Sequence, residues 1–388
     1  MLIINLLVYA MKKMIAVVLS CVMILAFTPK TNAAENISLS AKAAVLIEAE
    51  TGTIILAKNE NQKLPMASTT KIMTTLLTLE SGDLDKVYAV PDEALMTEGS
   101  SMGLCFGESV TKNQLCYGMM LPSGNDAANT AALLISGSFE SFARRMNRRA
   151  AKIGMENSNF VTPSGLHDEK HYSTAYDMAL LTREALKNEH FGEICRTKSI
   201  KLSSDGFQSD KYLSNTNRLL TKYQYCIGVK TGFTDEAGRC LVSAAEKDGV
   251  KLIAVTLNAS DDWNDHIKMF EIGFACTKRV KPDNFTDKFS VDLVGGTSDS
   301  VKCRLSEAPE FTSVNGSLPD ITEKSFIPDF VYAPIMEGDE VGYVEYSAYG
   351  DVLCRRTIVA DESCSYKSSD VKKSLYNSVI DMLKKLFE

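Results

Sequence analysis

The sequence predicts an α+β domain, helices packed on an antiparallel sheet, followed by a small all-β domain and an amphipathic C-terminal helix. Three observations predict it. Strand-like segments near 42–57 and 226–257 bracket a long helical stretch. From 285 to 364 the apolar runs become short and alternating, with Gly, Pro, Asn and Asp between them. The last 20 residues return to a helical period.

Lys42 to Ala57 reads as a hairpin, Ala44-Val45-Leu46-Ile47 and Ile54-Ile55-Leu56 about a Thr51-Gly52 turn. A helix is expected from about Ser68 to Glu80, because Ile72, Met73, Leu76, Leu77 and Leu79 recur at helical spacing. Further helices are expected over 111–121, 126–134, 139–153 and 174–187, with Pro122-Ser123-Gly124 breaking the first pair and Ser173 or Thr174 capping the last. Cys226–Val229, Leu241–Ala245 and Leu252–Leu257 read as strands, and Asp265–Ala275 as helix. The texture changes at Lys281-Pro282-Asp283, and 289–294, 301–305, 341–347 and 352–358 are short strands of the β domain. In the tail, Val371, Leu375, Val379, Met382, Leu383 and Leu386 fall on one helical face, with Lys372, Lys373, Lys384 and Lys385 mostly off it. That pattern suits either a helix lying in a bilayer interface or one docked on the β domain.

The 388 residues are 45% hydrophobic and carry a net charge of −7, which excludes a disordered chain and argues against a nucleic-acid partner. Residues 1–33 hold Lys12, Lys13 and Lys30 and no acid, with an apolar run from Met14 to Phe27 and small residues near Ala33. This is the pattern of a signal peptide cleaved after Ala33 or Ala34, and Met11 offers an alternative start. The run falls short of the roughly 20 residues that span a bilayer. Export leaves nine of the ten cysteines, and Cys226 and Cys240, symmetric about Phe233, would be cross-strand neighbours if 225–244 were a hairpin centred there. With four histidines and no C-x-x-C, neither metal nor cofactor is expected.

Three fragments carry chemistry. Ser68-Thr69-Thr70-Lys71 puts a hydroxyl and an amine three apart at a helix start, where a lysine of depressed pKa can serve as base to a serine nucleophile. Two other Ser-x-x-Lys pairs, Ser109/Lys112 and Ser369/Lys372, fit solvated surface pairs. Ser123-Gly124-Asn125 sets a hydroxyl and an amide on a tight turn between helices, while Ser313-Val314-Asn315 reads as a plain turn. Lys230-Thr231-Gly232 occurs once, after a strand-like run, and offers a cation, a hydroxyl and a close approach to the strand edge.

In this order and context the set resembles the penicillin-binding proteins and class A β-lactamases. Leu64–Met73, Met120–Ala128, His171–Asp177 and Gly228–Thr234 are most similar to the low-molecular-mass D-alanyl-D-alanine carboxypeptidases of the penicillin-binding protein 5 type. The resemblance implies a signal peptide over 1–33, a serine peptidase domain over 37–278 with the β-lactamase-like fold, a β-sandwich-like domain over 283–366 and a membrane-anchoring helix over 368–388. It implies Ser68 as nucleophile, Lys71 as general base, Ser123 as proton relay and Asn125 as orienting group. Lys230 and Thr231 would bind a terminal carboxylate along the Gly232 edge, with the N–H groups of Ser68 and Phe233 as oxyanion hole. The implied partners are peptidoglycan stem peptides ending in D-Ala-D-Ala, β-lactams and an anionic membrane surface. Phe233 stands where better-known relatives carry His, and His171 and Asp177 read as structural.

The rivals are a class A-like β-lactamase and a catalytically inert wall-binding scaffold. The first needs a Glu-x-x-Leu-Asn pattern, to which Glu184-Ala185-Leu186-Lys187-Asn188 comes closest with Lys where Leu belongs. Three intact motifs argue against the second.

Overall fold

A computed structural model describes residues 38–367 and 371–387, so the leader expected over 1–33 and the Ser369 of the third Ser-x-x-Lys pair lie outside the described residues. The hairpin forms as expected, β1 (Ala43–Glu48) against β2 (Ile54–Lys58). The next helix starts differently. Ala67–Thr70 is a single 3-10 turn, and α1 (Lys71–Glu80) begins only at the lysine. Nine of its ten residues are buried, so the helix is a core element rather than an amphipathic one. Its threonines are satisfied internally: Thr74 donates to Pro163 O (2.6 Å) and Thr78 to Thr74 O (2.7 Å).

A small ribbon, β3 (Val87–Ala89) with β4 (Ser109–Thr111), leads to α2 (Lys112–Met120), which Thr111 and Gln114 close with a capping box. Ser109 therefore sits on a strand. Lys112 is buried, donating to Ser81 Oγ (2.9 Å) and Gly82 O (3.0 Å), which corrects the reading of a solvated Ser109/Lys112 pair. Then follow α3 (Asn125–Ser136), α4 (Phe139–Ile153), α5 (Ala175–Ala185) capped by Thr174, and a short α6 (Glu189–Arg196). A second ribbon, β5 (Ser199–Leu202) with β6 (Lys211–Ser214), and one turn of helix, α7 (Leu219–Lys222), return the chain to the main sheet.

Among the described residues that sheet has five antiparallel strands in the order β2-β1-β9-β8-β7, built with β7 (Cys226–Thr234), β8 (Gly238–Lys247) and β9 (Val250–Leu257). α8 (Asp262–Cys276) covers it. Strand β7 is an edge and runs on through Lys230-Thr231-Gly232. Its pairing with β8 sets Gly232 opposite Cys240 and Cys226 opposite Ala245, so the hairpin turns after Thr234 rather than at Phe233. Cys226 and Cys240 are accordingly not cross-strand neighbours, and both are free thiols.

The β domain is tied in across the change of texture at 281–283, because β10 (Thr277–Val280) pairs with β13 (Phe311–Val314). A six-stranded sheet in the order β14-β16-β17-β12-β11-β15 faces this ribbon, formed by β11 (Lys288–Val294), β12 (Ser300–Leu305), β14 (Thr322–Phe326), β15 (Phe330–Tyr332), β16 (Glu340–Ala348) and β17 (Asp351–Ala360). Its core includes Val291, Val301, Phe311, Val344, Tyr346 and Ile358, with Phe311 edge-on to Tyr346 at 5.6 Å. Asn315 closes a turn at φ 51°, as Ser313-Val314-Asn315 suggested. Arg183 joins the two domains, donating to Ala49 O and Glu50 O and pairing with Asp351 (2.6 Å). The tail is α9 (Val371–Phe387), on which Tyr376, Val379, Met382, Leu383 and Leu386 are exposed. No described helix is long and apolar enough to cross a membrane.

The register of β7 on β8 predicts thiol chemistry directly. Protein denatured without reductant and treated with an alkylating reagent should be modified at both Cys226 and Cys240; a peptide joining the two, found by mass spectrometry, would contradict the register.

Candidate active site

In a 3-10 turn residues i and i+3 eclipse, and here that places Lys71 Nζ 3.0 Å from Ser68 Oγ. The Lys71 nitrogen has two other contacts, Asn125 Oδ1 and Ser164 O, each at 2.7 Å. Asn125 cannot be turned around, because its Nδ2 donates to Glu98 O (2.6 Å). Both short contacts are therefore to pure acceptors. A neutral amine would spend its two N–H bonds on them and leave its lone pair facing the serine hydroxyl. The surroundings favour that neutral form. Lys71 is fully buried, and burial first, then the positive charge of Lys230, holds its pKa well below the usual lysine range, with Asp126 opposing weakly.

The turn bearing Ser68 is clamped from behind. His171 Nδ1 accepts from Val161 N (2.9 Å) and Thr162 N (3.2 Å), so its proton sits on Nε2, which donates to Thr70 Oγ1 (2.8 Å); that hydroxyl in turn donates to Ala67 O (2.8 Å). Burial pulls the His171 pKa down to about 4, keeping the ring neutral. His171 thus acts on the backbone of the turn and does not reach the cleft. Asp177 accepts from Asn157 N (2.8 Å) and Ser158 Oγ (2.6 Å) and shapes the same loop. Gly165, at φ 86°, lies where a Cβ would stand 2.0 Å from Ala67 O.

On the opposite wall, Ser123 sits at φ 68° between α2 and α3, and its hydroxyl makes no hydrogen bond among the described residues. Asp126 holds the facing loop, accepting from Ser101 Oγ (2.6 Å), Met102 N (2.9 Å) and Leu104 N (3.0 Å). The third wall is the edge of β7. A Cβ on Gly232 would come within 3.0–3.1 Å of Ser68 N, Met66 O and Thr69 N, so glycine lets the strand pass this close to the serine without crowding that backbone. Lys230 is 1% exposed and donates to Thr231 O (2.8 Å); burial lowers its pKa to about 7. Thr231 Oγ1 is 2.8 Å from Thr216 Oγ1. Ser68, Ser123, Thr231, Gly232 and Phe233 line one cleft of about 390 Å³, joined there by Thr216, Arg218, Arg239 and Trp263.

The eight residues expected from sequence therefore converge on one cleft or stand directly behind it. Five contributors had no signal in the sequence reading: the Ser164 carbonyl, Thr216, Arg218, Arg239 and Trp263. No group of acidic, histidine or cysteine side chains able to hold a metal occurs among the described residues.

A family model described as D-alanyl-D-alanine carboxypeptidase matches residues 29–261. The chain belongs to the D-alanyl-D-alanine carboxypeptidase family. It is 34% identical over 371 residues to the carboxypeptidase DacF of Bacillus subtilis, covering 91% of this chain and 94% of the relative. Identity to DacC of Escherichia coli is 31% over 360 residues, covering 87% and 88%. Among solved structures, DacD from Francisella tularensis matches with TM-score 0.61 at 27% identity, covering 88% of this chain and 98% of that one. Penicillin binding protein 5 from Haemophilus influenzae matches with TM-score 0.60 at 26% identity, covering 84% and 98%. The activity is that of a serine-type D-Ala-D-Ala carboxypeptidase, which removes terminal D-alanine from peptidoglycan stem peptides and binds penicillins.

The charge coupling between the two buried lysines has a measurable sign. On a reading of Lys71 as base to Ser68, a protonated Lys71 limits acylation at low pH, and the Lys230 charge lowers the Lys71 pKa. Lys230→Met should therefore move the acid limb of the pH profile for penicillin acylation upward, by less than burial has already moved it down. An acid limb that stays put or moves down would show that the two amines are not coupled.

Proposed function

We propose that Ser68 is the nucleophile of this carboxypeptidase and Lys71 its general base. The observation that carries the reading is the Lys71 amine with two N–H bonds committed to Asn125 Oδ1 and Ser164 O and its remaining direction toward Ser68 Oγ. Ser68 Oγ loses its proton to Lys71 Nζ and attacks the carbonyl of the penultimate D-alanine. The oxyanion is received by the N–H groups of Ser68 and Phe233, which the close approach at Gly232 brings together. The C–N bond breaks, the departing amine takes a proton by way of Ser123, and the acyl group remains as an ester on Ser68. Water then hydrolyses the ester and restores the enzyme. Thr231 and Lys230 receive the substrate's terminal carboxylate, joined by Arg218, which is exposed in the cleft and unpaired by any acid among the described residues.

With a penicillin the departing nitrogen stays tethered to the acyl group. The hydrogen-bond partners of Lys71 include no carboxylate that could activate water in the manner of a β-lactamase. Glu184, in the nearest match to that pattern, is engaged by Arg149 (2.7 Å) and Lys187 (3.0 Å) instead. The penicilloyl-enzyme is accordingly long-lived.

The same reading covers the rest of the chain: a signal peptide over 1–33, a catalytic domain over 37–278, a β domain over 283–366, and a helix over 368–388 that holds the exported enzyme peripherally at the outer face of the membrane. The exposed apolar residues of α9, with Lys384 and Lys385 in its last turn, support the anchor.

Two measurements test these assignments. Ser68→Ala should abolish both labelling by a fluorescent penicillin and release of D-alanine from a pentapeptide ending in D-Ala-D-Ala, about a 10⁴-fold loss or more; undiminished labelling would remove Ser68 from the mechanism. Deleting residues 368–388 should release active enzyme from membranes on fractionation, and continued sedimentation with them would rule out the anchor.

A further inference from the structure

We propose that the cleft contains an apolar subsite, walled by Phe233, Arg239 and Trp263, that accepts the side chain of the leaving D-amino acid, so that stem peptides ending in a bulky apolar D-residue are substrates beside those ending in D-alanine. The inference deepens the reading of Ser68 as nucleophile and rests on it.

The wall is built rather than incidental. Phe233 follows Lys230-Thr231-Gly232 directly, lines the cleft and is 62% exposed. Its partner across the β7–β8 hairpin is Arg239. The Arg239 guanidinium is fixed by Asp262, to which Nε and Nη2 donate at 3.1 and 2.6 Å, and it lies 5.5 Å from the centre of the Trp263 ring. Paired in this way, the arginine presents its flat, weakly hydrated face between the two aromatics rather than a free charge. Trp263 is the sequence's single tryptophan, and the second residue of α8.

The position of the wall follows from the reaction. The scissile carbonyl carbon meets Ser68 Oγ with its oxygen toward the N–H of Phe233. The leaving residue then has its nitrogen at the breaking bond and its carboxylate at Thr231 and Arg218. The remaining large substituent on its Cα is directed to the part of the cleft those groups leave, which is the Phe233–Arg239–Trp263 side. A D-alanine offers only a methyl group there, too small to cover the exposed ring of Phe233 in the cleft wall. The chemistry is unchanged: the same amide bond is broken, the same Ser68 ester forms, water hydrolyses it, and the free D-amino acid departs.

The test measures kcat/KM of the full chain on three acylated peptides that differ only in the last residue, D-Ala-D-Ala, D-Ala-D-Leu and D-Ala-D-Phe, by release of the free amino acid. The D-Leu and D-Phe peptides should be cleaved within about tenfold of the D-Ala peptide or faster, since each methylene in an apolar pocket is worth roughly 10-fold or more. Trp263→Ala, and separately Phe233→His, which keeps the backbone N–H, should each lower the D-Phe to D-Ala ratio about tenfold. A wild-type enzyme more than tenfold slower on either bulky peptide, or a ratio moved by neither variant, would overturn the subsite while leaving Ser68 in place. Failure to release D-alanine from the D-Ala peptide would overturn both.

Discussion

A lysine amine with no access to water has to be fixed by protein dipoles, and the catalytic domain is arranged around meeting that condition at Lys71. Burying an ammonium without a carboxylate partner is costly enough that the group sheds its proton instead. Lys71 has no such partner; it has a serine hydroxyl, an amide oxygen and a backbone carbonyl. The three come from three separate stretches of chain: the 3-10 turn before α1, the N-terminus of α3, and the loop between α4 and α5. Holding all three within 3.0 Å of one nitrogen is a long-range requirement, and it goes with an α1 that starts at Lys71 and is buried at nine of its ten residues.

The supports behind the site obey the same logic. The turn bearing Ser68 has Ala67 at φ 48°, a left-handed conformation that a non-glycine residue keeps only where its surroundings hold it. The carbonyl of Ala67 is held by Thr70, Thr70 by His171, and His171 by two backbone N–H groups of the loop that also delivers Ser164. One hydrogen-bonded chain thus fixes both the turn bearing Ser68 and the loop that presents Ser164 O to Lys71. A protonated His171 would point a second N–H at those two donors, and its burial, which drives the pKa to about 4, keeps that from happening near neutrality.

The residues proposed to react are legible in the sequence because they are side chains in fixed order: Ser68, Lys71, Ser123, Asn125 and Lys230-Thr231-Gly232. The boundaries of α4 were legible for a local reason, since Ser138 caps one end and Gly154, at φ 90°, closes the other. What was not legible depends on backbone groups or distant approach. The Ser164 carbonyl is a main-chain atom with no residue signature. The turn of the β7–β8 hairpin is not legible because the polar Lys230-Thr231-Gly232-Phe233 stretch reads as a strand end, whereas the strand continues to Thr234. Lys112 looked solvated because its acceptors, Ser81 and Gly82, are some 30 residues away.

The same physics divides labour among the cleft's cations. A buried lysine can be made neutral, and Lys71 and Lys230 both have their pKa values lowered by burial, the latter to about 7. That is the property a base needs and the opposite of what a carboxylate receptor needs. An arginine cannot be neutralised at any pH the enzyme meets. Arg239 is already committed to Asp262, whereas Arg218 stands exposed in the cleft. On the proposed reading, Arg218 therefore supplies the charge that stays constant with pH, and Lys230 the charge that tunes Lys71. On that reading, the charge of Arg218 at the mouth of the cleft also selects the orientation in which a stem peptide enters.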